Sequence, residues 1–109
     1  MGRNYLGELE ELVLLAVASL TNEAYAVAVK AELEQRADRV MNISAIHACL
    51  YRLEDKGYLQ SALGGATKKR GGKSKRLFSV TSAGYQVLKE NQEVRQSFWD
   101  TIPQLSTQR

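Results

Sequence analysis

The stretch Tyr58-Leu59-Gln60-Ser61-Ala62-Leu63-Gly64-Gly65-Ala66-Thr67-Lys68-Lys69-Arg70-Gly71-Gly72-Lys73-Ser74-Lys75-Arg76-Leu77-Phe78-Ser79-Val80 decides the fold. Its two ends alternate apolar and polar residues roughly at period two, the pattern of half-buried strands, while its middle is punctuated by glycine. The pattern predicts a hairpin whose loop is too long for a tight turn and whose tip is expected to move when nothing is bound. Between Lys56 and Lys89 there are eight Lys or Arg and no Asp or Glu, and six of the eight fall between Gly64 and Arg76. A cationic finger of this kind suits a polyanion with phosphates spaced along a rod, because each cation that meets a phosphate releases condensed counterions. The plainer alternative is a solvated loop kept basic for solubility.

On the N-terminal side of the hairpin, Ile46, Cys49, Leu50 and Leu53 recur at helical spacing, with Ser44 as a good N-cap and Gly57 able to take the left-handed conformation that closes a helix. The opposite face of this third helix carries Ser44, Ala45, His47, Ala48, Tyr51, Arg52 and Asp55. Ala45 and Ala48 are small enough to let the backbone approach a surface closely. Residues 38–43 before it are β-permissive. Further upstream, Tyr25 to Ala37 reads as a second helix with Val29 and Leu33 inward, preceded by a turn and cap at Thr21 and Asn22. The first helix has Leu9, Leu12, Val13, Ala16, Val17 and Leu20 at intervals of three and four, with Glu8, Glu10 and Glu11 where the helix dipole favours negative charge. Leu14 and Leu15 widen its apolar stripe beyond what one neighbouring helix needs, implying a second apolar surface such as another chain. After the hairpin, Thr81 or Ser82 caps a fourth helix from about Ala83 to Thr101, ended by Pro103. Its apolar positions include Tyr85, Val87, Leu88, Val94, Phe98, Trp99 and Ile102.

Three helices, a hairpin and a closing helix form the winged helix-turn-helix order. The expected fold class is therefore mainly α with a small β-hairpin, a winged helix-turn-helix over residues 1–82 followed by an additional C-terminal dimerisation helix and tail over 83–109, packed as one compact unit. In this order the third helix enters a major groove and the hairpin follows the backbone toward the neighbouring minor groove.

At 109 residues the chain makes one domain, short for an enzyme that must also enclose a cleft. The net charge of +3 hides a split: residues 1–55 hold nine acids against five Lys or Arg, so the positive field belongs to the hairpin. The single cysteine, Cys49, excludes an internal disulfide and reads as a buried structural thiol, which with no evident signal sequence points to a reducing cytoplasm. The longest apolar run, Leu12 to Ala18, is far too short to cross a bilayer, so no membrane partner is expected. One histidine, one cysteine and scattered carboxylates make neither a catalytic triad nor a metal cluster, and neither catalysis nor a cofactor is expected. Gly72-Lys73-Ser74 has the ending of a phosphate-binding loop, but Thr67 stands where that motif has glycine, and a strand follows where the motif needs a helix.

Five strings together resemble the PadR-like transcriptional regulators. Leu6-Gly7-Glu8-Leu9-Glu10-Glu11-Leu12-Val13-Leu14-Leu15-Ala16-Val17 is similar to that family's first helix, and Ala24-Tyr25-Ala26-Val27-Ala28-Val29 to the start of its second. The segment from Ser44 to Leu59 follows its third helix and exit, the basic segment Arg70 to Arg76 its wing, and Val80-Thr81-Ser82-Ala83-Gly84 the entry to its last helix. His47 departs from the pattern, standing where the family usually has a tyrosine that meets DNA. The resemblance implies a small bacterial repressor that dimerises through its fourth helix packing on the partner's first and binds a pseudo-palindromic operator in double-stranded DNA. The surplus apolar surface of helix one and the pair Phe98 and Trp99 agree with a homodimer. On this reading Arg70, Lys73, Lys75 and Arg76, with Lys68 and Lys69, meet phosphates, Ser44, Ala45, His47, Ala48 and Arg52 face the bases, and Tyr51 stacks, packs or donates to a phosphate. Arg52 has an alternative in an ion pair with Glu54, Asp55 or an acid of helix two. Leu14, Leu15, Val94, Phe98, Trp99 and Ile102 form the dimer interface, where a small aromatic effector is a second reading. A winged-helix adaptor that grips an acidic protein through the same wing is the rival function.

Overall fold

Three helices, a two-stranded antiparallel hairpin and a fourth helix follow one another in the computed structural model, which describes residues 6–64 and 75–103. The first helix, α1 (Glu8–Ser19), begins at Gly7, whose N–H donates to Glu10 Oε1 at 3.1 Å. Its core-facing Val13, Leu14, Ala16 and Val17 are buried, as the period-3.6 pattern requires. Leu14, expected at an interface between chains, is instead 0 % exposed inside this chain's own core, because α1 is covered on more than one side by its neighbours. Leu15, at 45 % exposure, is the residue that remains outside.

Asn22, with φ 66°, makes the turn into α2 (Ala26–Ala37). The expected cap at Thr21 and Asn22 is not made: the N-cap is Tyr25, which offers no capping side chain. At the other end Asp38 turns left-handed, and the Arg39 N–H returns to the Leu33 carbonyl at 3.1 Å. That closure directs the chain straight to the next helix, and the β-permissive stretch 38–43 forms no strand.

Helix α3 (Ile43–Asp55) starts two residues earlier than the serine cap predicts. Asn42, in extended backbone, places its Oδ1 2.8 Å from the Ala45 N–H, and Ser44 lies inside the first turn as an exposed residue. Gly57, at φ 85°, closes α3: its N–H reaches the Glu54 carbonyl at 2.9 Å, and the Tyr58 N–H reaches Leu53 at 3.0 Å. This pair of bonds is the Schellman closure, and its left-handed residue is cheapest as glycine.

The strands β1 (Leu59–Leu63) and β2 (Arg76–Val80) pair antiparallel from Leu59 opposite Val80 to Leu63 opposite Arg76. Phe78, fully packed, anchors the hairpin to the helices, and its N–H also bonds the Ala24 carbonyl at 3.0 Å. Thr81 then caps α4 (Ser82–Thr101), accepting from the Gly84 N–H at 3.0 Å while donating to the Gly57 carbonyl at 2.7 Å. One hydroxyl thus joins the exits of α3 and the hairpin.

One core collects Val13, Leu14, Val29, Ile46, Leu50, Leu53 and Phe78 from α1, α2, α3 and β2. Each such side chain contributes about 1.5–3 kcal/mol through burial, offset by the entropy of ordering the chain. Cys49 is part of this core, and desolvation pushes its thiol up, consistent with a structural residue. Helix α4 shares the core only through Val87 and partly through Leu88. Beyond Asn91 it is exposed along its length. No helix among the described residues is long and apolar enough to cross a membrane.

Candidate functional site

The outward face of α3, the start of α2 and the base of the hairpin meet around a cleft of about 350 Å³. His47 and Tyr51, one helical turn apart, enter it from α3, their rings stacked at 5.9 Å with an interplanar angle of 18°. Tyr51 in turn meets Phe78 edge-on at 6.0 Å, so the aromatic row is seated on β2. His47 is half-buried rather than a free surface residue, and its Nδ1 is buried with no hydrogen-bond partner among the described residues.

Lys75 and Arg76 line the same cleft from the hairpin. The Lys75 ammonium lies 5.6 Å over the Tyr25 ring, a cation–π contact that holds it at the mouth. Arg76 Nη1 donates to Ser61 Oγ at 3.0 Å, and that hydroxyl donates to Glu54 Oε2 at 2.8 Å. The chain of bonds fixes the hairpin's base to α3. Lys68, Lys69, Arg70 and Lys73, with the expected motion of the tip, lie outside the described residues.

Among the α3 residues named for DNA contact, Ser44, Ala48 and Tyr51 are exposed and Ala45 is half-buried. Arg52 is placed differently. Its Nε donates to Glu10 Oε2 at 3.1 Å, and Lys56 Nζ donates to both Glu10 oxygens at 3.0 and 2.9 Å. The partner is an acid of α1, not Glu54, Asp55 or an acid of α2, because the packing of α1 on α3 brings Glu10 beneath the last turn of α3. Glu10 is 9 % exposed, the one buried charged residue among those described. Burial alone would raise its carboxyl, but hydrogen bonds from Lys56, the Gly7 N–H and Arg52, with the Lys56 charge, hold it below its ordinary value.

The two neighbouring acids of α1 grip other elements: Glu8 pairs with Arg39 at 3.2 Å, and Glu11 with Arg95 of α4 at 2.7 Å. Tyr25 and Glu10 are the positions that sequence reasoning missed. Tyr25 carried a weak signal, an aromatic residue at a helix start where a capping residue is usual. Glu10 carried none beyond its place in an acidic turn.

A second surface lies away from the cleft. Phe98 and Trp99 on α4 are 68 % and 67 % exposed, flanked by exposed Val94 and Ile102. Leu15 borders a recess of about 270 Å³ between α1 and α2, lined by Leu12, Ala16 and Leu33 and also by the polar Ser19, Glu32 and Arg36. Isolated exposed apolar residues are ordinary, whereas these four lie close together on one helix.

No family model matches the sequence, and no curated protein matches it. Solved structures do. A PadR-like transcription factor from Bacteroides fragilis superposes with a TM-score of 0.71 at 21% identity, covering 86% of this chain and 85% of that one. A PadR family transcriptional regulator from Eggerthella lenta gives a TM-score of 0.66 at 25% identity, with 90% and 85% covered. A PadR-like transcriptional regulator from Bacillus cereus gives 0.69 at 18% identity, with 89% of each chain covered. The chain thus carries the winged helix-turn-helix fold shared by PadR-like transcriptional regulators.

Proposed function

We propose that this protein is a DNA-binding transcriptional regulator, a cytoplasmic repressor that binds a pseudo-palindromic operator as a homodimer. The observation that carries the reading is the cleft at the hairpin base. Two cations, two tyrosines and a histidine converge there, and none of the described residues lining it is acidic. Beside it α3 presents Ser44, Ala45 and Ala48, small side chains that allow a helix backbone close to base edges. A major groove about 12 Å wide admits such a helix. Lys75 and Arg76 meet phosphates at the base of the wing, and Lys68, Lys69, Arg70 and Lys73 extend the contact along the backbone. Phosphate contacts of this kind set register and orientation, while Ser44, His47 and Tyr51 carry sequence readout.

Residues 1–82 act as the DNA-binding unit and 83–109 as the dimerisation helix and tail. Phe98 and Trp99 support a dimer because the described residues leave them uncovered, and a two-fold arrangement in which α4 packs on the partner's α1 would cover both sets at once. Dimerisation would set two α3 helices about one DNA turn apart. The test is selection of bound duplexes from a random pool. The expected result is a two-fold symmetric consensus with half-sites about 10 base pairs apart centre to centre. Failure to retain any duplex in dilute buffer, together with capture of an acidic protein, would favour an adaptor instead.

A further inference from the structure

Ser44, Ala48, Arg52 and Lys56 stand four residues apart, so they form one ridge along α3 and its C-cap. The first two are exposed members of the proposed reading face. Arg52 and Lys56 prolong that ridge with two cations, yet both are turned to Glu10, with their side chains still 51 % and 38 % exposed. The carboxylate they share is only 11 % exposed by side chain and is also tied to the backbone of Gly7. It is therefore a fixed anchor, whereas the cations are at the surface and could swing to a phosphate if released.

From this we infer that Glu10 is a specificity-determining residue: it withholds Arg52 and Lys56 from the DNA backbone and so limits sequence-independent binding. The inference rests on the DNA-binding reading above. Its logic is electrostatic. Non-specific affinity grows with every phosphate neutralised, whereas discrimination between sites comes from base contacts that do not change with that number. A protein with two further cations beside its reading helix would gain affinity for all duplexes alike and lose the ratio between right and wrong sites. Holding the pair on a buried carboxylate keeps α3 oriented on α1 without adding to the backbone grip.

The experiment measures binding of the full chain to a mixed-sequence duplex across a salt series. Glu10→Gln keeps the side chain's shape and one acceptor oxygen but drops the charge that retains the cations. The expected result is tighter binding in dilute salt and a plot of log affinity against log salt that steepens by about 0.9 for each phosphate newly engaged. Glu10→Gln combined with Lys56→Met returns part of that gain. Lys56→Met in the otherwise native chain leaves the slope unchanged, since a cation held by Glu10 contributes nothing to it. A purely structural role for Glu10 would weaken binding and leave the slope flat or lower, and that outcome overturns the inference. So does a slope that falls by about 0.9 per phosphate lost in native-background Lys56→Met, a result that decides the matter even if Glu10→Gln does not fold. If the native chain itself binds no duplex, the DNA reading fails instead.

Discussion

Replacing Gly84 with alanine sets two effects of opposite sign against each other. Gly84 lies in the first turn of α4, where alanine is favoured over glycine by about 0.8–1.0 kcal/mol of intrinsic helix propensity. Packing opposes this. A methyl group at Gly84 would fall inside contact distance of the Tyr58 carbonyl oxygen and only 2.7 Å from Val80 Cγ1. The crowded oxygen is backbone and cannot rotate away. It also accepts the Thr81 N–H at 3.0 Å, so moving it costs that bond as well. Overpacking of this kind costs about 1–3 kcal/mol, and a lost hydrogen bond adds about 1. The net expectation is destabilisation by about 1–3 kcal/mol once the propensity gain is subtracted. Urea unfolding followed by far-ultraviolet circular dichroism, at fixed protein concentration, should show the midpoint falling by roughly 1 M with the slope unchanged. A variant as stable as the native chain, or more stable, would show that helix propensity wins and that α4 does not press on the exit of α3 as described.

Acidification tests the Glu10 anchor. Its folded carboxyl is held below its ordinary value, so its contribution is present above the unfolded value and is lost as pH falls through the folded one; Glu10→Gln should flatten the acid limb of a stability–pH curve. Alanine at Arg70, Lys73 and Lys75 should weaken binding to every duplex and lower the salt slope by about 0.9 per phosphate lost, with circular dichroism unchanged, and an unaltered slope would remove the wing from the mechanism. Phe98→Ser with Trp99→Ser should convert a dimer to a monomer in sedimentation at micromolar concentration; a native chain that already sediments as a monomer would refute the dimer.

The features legible without coordinates are those whose cause is local. Gly57 closes α3 because a left-handed residue is cheapest as glycine, Thr81 caps α4 because its hydroxyl reaches an N–H three residues on, and alternation over 59–63 and 76–80 can bury only one face of a strand. These signals act within a few residues and suffice for the order of elements and for a basic hairpin beside a helix with a small-residue face. They misplace the start of α3, since Asn42 and Ser44 are both good caps and only the backbone path from Asp38 selects between them.

The site itself is less legible. Glu10 meets Arg52 and Lys56 across 42 and 46 residues, a pairing set by how α1 lies on α3 and by no local pattern. Leu14 and Leu15 are indistinguishable in sequence, yet packing buries one and leaves the other at the surface. Tyr25 becomes part of the cleft only because the loop before α2 bonds to β2 and brings its ring beneath Lys75. By itself, then, the sequence determined the elements, their order and where positive charge gathers, because caps, turns and periodicity are short-range. Which cations are free and which are bound, and which apolar side chains stay uncovered, was decided by tertiary packing, since burial and ion pairing depend on neighbours far along the chain.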